Sequence, residues 1–294
     1  VWSKVFHYDK PTNAYNLKSK FVLNDQLLEQ NKKEITILSD NSKNKTGDLY
    51  YGGNYKASAL KKVFFGKLYR ETWTTPLEVP TLDLDTAFGG LTPLKEGGGL
   101  QTVSLKFIDK HGRKYAFRSI NKNPIKSIPV EFRIDLVEGI TQDMTATQHP
   151  YGALFVSELL DSTNLEHEKV KLYIMPDDPK LGIYREKFAG MFGMLELKPT
   201  ELDDLNYSYA NANSVKGSYS VFKNLYNNPK YHIDTALFAK ARILDIFIGD
   251  WDRHEDNWKW LGYKNDSSTT YKIYPKDRDH AFSRMDGLFY FLAD

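Results

Sequence analysis

The chain has 294 residues and a formal net charge of +2 at pH 7, so overall charge gives no reason to expect nucleic acid or an acidic membrane as partner. It contains no cysteine, which excludes disulfides, thiolate metal sites and cysteine nucleophiles. No apolar run reaches the roughly 18 residues of a membrane-spanning helix. The sequence opens at Val1 without an initiator methionine or a signal peptide, and we expect it to be a piece of a larger protein.

The first third of the chain gives weak structural signals. Residues 1–50 are polar, with one convincing strand in "EITILSD" (34–40) and an exposed loop in "NSKNKTGD" (41–48). Residues 51–84 are aromatic and β-branched and are interrupted by glycine and proline, a composition that predicts irregular β-structure.

The middle of the chain predicts a hairpin, helices and further strands. "TVSLKFID" (102–109) and "KYAFRSI" (114–120) alternate with the period of half-buried strands, and "KHGR" supplies the turn between them. Residues 129–164 predict two helical pieces. Two more strands are predicted in "KVKLYIM" (169–175) and "GMLELKP" (193–199), and a polar loop is predicted over 200–218.

The last third holds the densest charge. A helix with Asp234 as N-cap and a broad apolar face leads into "GDWDRHEDN" (249–257). A hairpin follows, and then a second charged segment, "KDRDHAF" (276–282). A charged cluster after a helix is most often a solvated end with local ion pairs, but Trp251 and Trp258 make this turn too apolar for that interpretation.

The two charged segments together fit the needs of phosphoryl transfer. That reaction requires Mg²⁺ held against the phosphates and an acceptor hydroxyl oriented by a carboxylate. Asp252 can receive the acceptor proton, and Asn257 can supply a carbonyl oxygen to the metal. One of Asp277 or Asp279 can serve as the main metal ligand.

The same residues carry a family resemblance. "DRHEDN" resembles the D-R-H-x-x-N catalytic loop of phosphoinositide kinases and other atypical kinases. The longer pattern "GDWDRHEDNWKW…YKIYPKDRDHAF" is similar to spore-coat CotH-type kinases. It most resembles a kinase-like region of large outer-membrane-associated proteins from Bacteroidetes-type bacteria, often downstream of a metallophosphoesterase domain. "YAFRSINK" and "MPDDPKLGIYR" extend the similarity to residues 50–290.

The resemblance implies a two-lobed, kinase-like α+β fold. Residues 1–50 would be a leading segment, 51–199 a β-rich nucleotide-facing lobe, and 200–294 a mainly helical, truncated lobe that carries the catalytic loop. The implied cofactors are ATP and Mg²⁺ or Mn²⁺, and the acceptor is an unidentified hydroxyl. The implied location is the cell envelope, periplasmic or outer-membrane-associated, with further domains in a longer chain.

The resemblance also implies roles for individual residues. Asp252 would be the catalytic base, with Arg253 and His254 bracing its loop. Asn257 would be a metal ligand, together with Asp277 or Asp279. Asp250 and Asp256 would be structural parts of the loop.

In the nucleotide-facing lobe, a glycine-rich loop would cover the phosphates through backbone N–H groups. The residues concerned are Gly97, Gly98, Gly99 and Gln101. Arg118 stands where kinases usually have a lysine, and Lys106 and Lys122 are alternative phosphate contacts. The acidic partner of Arg118 is expected on the next helix, with three candidates left open: Glu138, Asp143 and Glu158. The strand containing Glu196 would link the lobes and present backbone groups to an adenine edge.

Two other functions remain open at this point. A kinase-like binding or structural module is one, since Arg118 departs from the usual lysine. A metallophosphoesterase is the weaker one, because a single residue separates Asp250 from Asp252 where that family has two. In this interpretation Asp109 and His111 would imitate a D-x-H motif, although a hairpin turn explains them as well. His149 is expected to form a hydrogen bond at the start of a helix.

Overall fold

The computed structural model describes residues 49–50, 55–98, 101–199 and 208–293 and has an α+β architecture, with one five-stranded and one four-stranded sheet. The predicted strand in 34–40 and the predicted loop in 41–48 lie outside the described residues, as does Gly99.

The chain enters the described region through short elements. These are β1 (Leu49–Tyr50), α1 (Ala59–Phe65), α2 (Arg70–Thr74) and β2 (Leu77–Glu78). The prediction of irregular β-structure over 51–84 is therefore largely wrong. Helices form here instead, and some of the aromatic residues enter the core: Trp73 is buried, and its indole N–H donates to the carbonyl of Gln148 at 2.9 Å.

The first large sheet contains the predicted hairpin. Its strands are β3 (Leu91–Gly97), β4 (Ser104–Asp109), β5 (Lys114–Ser119), β6 (Val170–Ile174) and β7 (Phe192–Lys198). Their order is β3-β4-β5-β7-β6, and all neighbours are antiparallel. At the β4–β5 turn the Asp109 carboxylate accepts from the backbone N–H groups of His111 and Arg113, at 2.8 and 2.9 Å.

Helices α3 (Asp135–Met144) and α4 (Gly152–Asp161) confirm the two helical pieces predicted for 129–164. A short helix, α5 (Arg185–Phe188), precedes β7. Helix α3 is anchored by Asp143, whose carboxylate binds both terminal nitrogens of the buried Arg70 at 2.6 Å. Lys61 Nζ also lies 2.7 Å from Asp143.

The second large sheet and its helices form the rest of the structure. In chain order these are β8 (Ser214–Gly217), α6 (Ser218–Asn227), β9 (Tyr231–Ile233), α7 (Thr235–Phe247), β10 (Trp258–Lys264), β11 (Thr269–Pro275) and α8 (Leu288–Ala293). The strand order is β8-β10-β11-β9, with β9 parallel to β11. The predicted loop over 200–218 is wrong at its end, because Ser214–Gly217 adds a strand to the edge of β10.

Helix α7 begins as predicted, with the Asp234 carboxylate accepting from the Leu237 N–H at 3.0 Å. The predicted apolar face is wider than the buried one. Ala241 and Asp245 are buried, whereas the side chains of Ile243 and Phe247 are 67% and 77% exposed. The helix therefore directs a carboxylate, Asp245, into the interior below the charged turn.

The hydrophobic core beside the second large sheet contains residues from the middle of the chain as well as from its end. Val156 and Leu160 of α4 pack with Trp258 and Trp260 of β10. Helix α4 consequently joins the two sheets and brings the segment just before it, residues 148–150, close to both. None of the helices in the described ranges combines the length and apolar character needed to cross a bilayer.

Candidate functional site

Arg253 binds the charged turn to the segment after β11. Its guanidinium donates to the carbonyls of Lys276, Asp277 and Asn257 at 2.8, 2.9 and 2.9 Å. It also lies over the Trp258 ring, 4.7 Å from the centroid. The two charged segments are therefore one structural unit, and Arg253 braces it.

A buried ionic cluster supports this unit from below. Arg278 pairs with Asp245 and with Asp250, the latter at 2.9 Å, and Arg253 lies 3.3 Å from Asp250. All four side chains are nearly inaccessible to solvent. Burial raises the pKa of Asp250 despite the attraction of the two guanidinium groups. Asp250 is therefore a structural residue of the loop.

Asp252 faces the accessible side of the turn, whereas Asn257 is buried beneath it. The Asn257 amide nitrogen donates to the Asp252 carbonyl at 2.6 Å, and among the described residues none donates to its Oδ1. The Asp252 side chain is 40% exposed, and its carboxylate lies 3.6 Å from His280 Nε2. His254 is more distant from it, at 4.0 Å, and is itself 53% exposed. The Asp252 carboxylate is thus accessible to solvent.

The second charged segment presents two carboxylates to the first sheet. Asp277 binds Arg118 of β5 at 2.8 Å, and Asp279 binds Lys122 at 2.8 Å. Burial raises the pKa of Asp277, and the Asp279 carboxylate raises it further. Burial alone would raise the pKa of Asp279, but Lys122 and Arg118 hold it well below its usual value. The charges of the two carboxylates therefore act on each other.

Arg118 finds its acidic partners elsewhere than predicted. Its Nε lies 3.4 Å from Glu196 on the neighbouring strand β7, in addition to the pair with Asp277. Glu196 and Asp277 raise the pKa of Arg118 well above its usual value, although burial opposes them. Of the three predicted partners, Asp143 is occupied by Arg70. The expectation of a helical partner is wrong because adjacent strands bring two side chains closer than the next helix does.

Of the glycine-rich segment, the structure describes Gly97, Gly98 and Gln101, which lie between the main parts of β3 and β4. Gly98 has a φ of +125°, and a Cβ there would lie 2.3 Å from the Thr102 carbonyl oxygen, so only glycine fits. The Gln101 carbonyl accepts from the Asn123 N–H at 2.8 Å. Gly97 ends β3 against Lys106, whose Cε would be 3.3 Å from a Cβ at that position. Lys106 thus lies beside Gly97, while Lys122 pairs with Asp279.

The cleft between the sheet and Asp279 is narrow. Its walls include Thr102, Arg118, Lys122, Gln148 and Asp279. The space in it that water can occupy is about 20 Å³, enough for about one water molecule. The ion pairs of Arg118 with Asp277 and of Lys122 with Asp279 link the sheet to the acidic segment here.

Glu196 contributes its side chain, and not its backbone, to the contacts of the site. Strand β7 has neighbours on both sides at this position, Ala116 of β5 and Val170 of β6, so the backbone of Glu196 is engaged within the sheet. Burial raises the pKa of its carboxyl group, against the attraction of Arg118.

The donor set of the acidic segment fits a hard divalent cation. The carboxylates of Asp277 and Asp279 and the side-chain Oδ1 of Asn257 are oxygen ligands, the kind that Mg²⁺ and Mn²⁺ take. Two carboxylates that repel each other are stabilised by a cation between them. In the ranges that the structure describes, no group of three or more His, Asp or Glu side chains is close enough to hold a metal.

Some residues of the site gave no signal in the sequence. Glu168 is buried and Lys198 half-buried beside Glu196, and Lys198 binds both carboxylates, at 2.7 and 2.5 Å. Gln148 accepts from Lys122 at 2.5 Å. His280 lies inside the "KDRDHAF" motif and packs its ring against Trp251, 4.5 Å between centroids. Only His280 could have been found from its motif.

The metallophosphoesterase interpretation gains no support. Asp109 holds a hairpin turn and pairs with Arg113 at 2.5 Å, so its carboxylate is already used. His149 Nδ1 accepts from the Tyr151 N–H at 3.1 Å, which confirms its expected role at a helix entry. In comparisons with protein-family models, with curated proteins and with solved structures, nothing matches this chain.

Proposed function

We propose that this protein is an atypical, kinase-like phosphotransferase that uses ATP and Mg²⁺ or Mn²⁺. The observation that carries the proposal is the meeting of two cations, Arg118 and Lys122, with two carboxylates, Asp277 and Asp279, beside an accessible Asp252. Arg118 and Asp277 are 159 residues apart in the sequence, so this meeting is a property of the fold.

Each group has a place in the reaction. Arg118 and Lys122 would bind phosphate oxygens, and Asn257, Asp277 and Asp279 would hold the metal. The metal would neutralise charge on the phosphates as the transferred group leaves. Asp252 would accept the proton of the acceptor hydroxyl, with its loop braced by Arg253. The β-rich region around β3–β7 would correspond to the nucleotide-facing lobe and the region from β8 onward to the catalytic lobe.

A binding module without activity is the second candidate, and one observation favours it. The carboxylates of Asp277 and Asp279 are already neutralised by Arg118 and Lys122, so the fold can keep them without a metal. The cell-envelope location stays a prediction from the resemblance under both candidates.

The decisive experiment measures the thermal midpoint with ATP and Mn²⁺ or Mg²⁺. A ligand at 100 times its dissociation constant stabilises by about 2.7 kcal/mol. At about 2–4 °C per kcal/mol, the midpoint should rise by about 5–11 °C. Asp279→Asn should abolish that rise, whereas Asp266→Asn, the same change in an exposed hairpin loop, should keep it. No shift with any nucleotide and metal would remove the phosphotransferase proposal.

Asp252→Asn separates the two candidates. For a phosphotransferase, this variant should keep the midpoint shift and lose phosphate release from ATP by about 10²–10⁴-fold, the usual contribution of a general base. A wild-type protein that binds the metal–nucleotide pair but releases no more phosphate than Asp252→Asn would favour the binding module.

A further inference from the structure

Glu168 makes an unusual long-range contact with the acidic segment. It lies just before β6, is buried, and uses its two carboxylate oxygens for different partners. Oε2 accepts the backbone N–H of Asp277 at 2.9 Å, and Oε1 accepts from Lys198 Nζ at 2.7 Å. A side chain 109 residues away thus holds the main chain of a candidate metal ligand.

These contacts belong to a chain of side chains with alternating charges, and the hydrogen bond from the Asp277 N–H to Glu168 closes the chain into a ring. Lys198 also binds Glu196 at 2.5 Å, Glu196 lies 3.4 Å from Arg118, and Arg118 binds the Asp277 carboxylate at 2.8 Å. Asp277 is therefore held at two points by the same network: at its N–H by Glu168 and at its carboxylate by Arg118.

The backbone of Asp277 needs such a support. Its φ of +60° is left-handed, a conformation that aspartate adopts more readily than most non-glycine residues but that is still less favourable than the right-handed one and needs contacts to hold it. In this conformation Asp277 and Asp279 reach Arg118 and Lys122 across the cleft, while Arg278 between them is buried against Asp245. A relaxed backbone at Asp277 would redirect these side chains.

We propose that Glu168 is a positioning residue that holds the left-handed backbone of Asp277, with Lys198 holding Glu168 in place. The inference rests on the proposed function, since it gives the pair a role in orienting the metal-binding carboxylates. It adds two residues that neither the charged motifs nor the glycine-rich turn includes.

The test is Glu168→Gln, with Glu166→Gln as its matched control. Glutamine has nearly the same volume, but it has one acceptor oxygen where Asp277 N–H and Lys198 Nζ need two. Glu166 is exposed and lies two residues earlier on the same segment, so the control makes the same chemical change outside the ring.

Two measurements are compared between these variants and the wild type. One is the ¹H–¹⁵N signal and hydrogen-exchange rate of the Asp277 amide, without metal or nucleotide. The other is the dissociation constant of Mn²⁺ with ATP by calorimetry. We expect Glu168→Gln to shift the Asp277 signal, to speed its exchange, and to weaken Mn²⁺–ATP binding by about 10-fold, while Glu166→Gln resembles the wild type.

A purely structural role has a different signature. A lower thermal midpoint in Glu168→Gln with an unchanged Asp277 amide would overturn the positioning role, as would an amide and a dissociation constant equal to those of Glu166→Gln. Failure of the proposed function is distinguishable, because the wild type would then bind no Mn²⁺–ATP. The Asp277 amide would still decide whether Glu168 holds that backbone.

Discussion

Replacing Arg253 by methionine is the sharpest test of how the charged turn is held. The Arg253 side chain is 1% exposed and donates to three carbonyls, those of Lys276, Asp277 and Asn257, at 2.8–2.9 Å. Methionine fills much of the same space and can still contact Trp258, but it donates no hydrogen bond. The substitution therefore removes the hydrogen bonds that Arg253 makes to both charged segments and leaves the surrounding packing largely intact.

The magnitude follows from these contacts. A hydrogen bond to a charged group contributes about 1.5–3 kcal/mol, and three such bonds that share one guanidinium do not add fully. Breaking a buried charged contact costs about 3–5 kcal/mol, which is the range we expect here. Asp250 keeps its pair with Arg278, so no carboxylate is left alone. At about 2–4 °C per kcal/mol, the thermal midpoint should fall by about 6–20 °C.

The assay is thermal unfolding followed by circular dichroism, with Arg185→Met as control. Arg185 also pairs with an aspartate, Asp177 at 2.8 Å, but both side chains are exposed, and such pairs contribute about 0–1 kcal/mol. If Arg253→Met unfolds within about 2 °C of Arg185→Met, equivalent to about 1 kcal/mol or less, the bracing role is refuted.

Three further predictions concern other parts of the fold. Gly98→Ala should destabilise by about 1–3 kcal/mol because of its positive φ and blocked Cβ position, and Gly217→Ala, with open space, should be nearly neutral in the same urea titration. Burial lowers the pKa of His149 in the folded protein, so the unfolded chain takes up a proton at a higher pH than the folded one does. The free energy of unfolding therefore decreases as the pH falls below about 6.5. His149→Asn should therefore lose less stability than the wild type between about pH 7.5 and 5.5, and equal losses would contradict this. Asp143→Asn leaves the buried Arg70 without its carboxylate and should cost about 3–5 kcal/mol in urea unfolding, whereas a loss under about 1 kcal/mol would show that Arg70 finds another partner.

The fold was predictable where a local pattern and the tertiary environment agree. The β4–β5 hairpin alternates in sequence and is half-buried in the sheet, and the Asp234 cap marks the start of α7. The pattern failed where tertiary pairing decides. Residues 214–217 look like a polar loop, yet they become β8 because β10 offers an unpaired edge.

The candidate site divides in the same way. Asp252, Asn257, Asp277 and Asp279 stand in two short motifs and could be named from the sequence. Glu168 and Lys198 could not, because an isolated charged residue in a polar segment or a strand has no signature until the fold shows which charges it meets. The acidic partner of Arg118 was missed for a related reason: Glu196 is distant in sequence, and strand order alone makes it a neighbour.

The position of β7 has a consequence for how the protein folds. It lies between β5 and β6, although more than 70 residues of chain separate its end from that of β5, and the contact between Arg118 and Asp277 spans 159 residues. Contacts of such high sequence separation require large loops to close before they contribute, and they slow folding. We therefore expect the carboxylates of the acidic segment to meet their cations late, after both sheets have formed. During synthesis this cleft would be among the last features to mature.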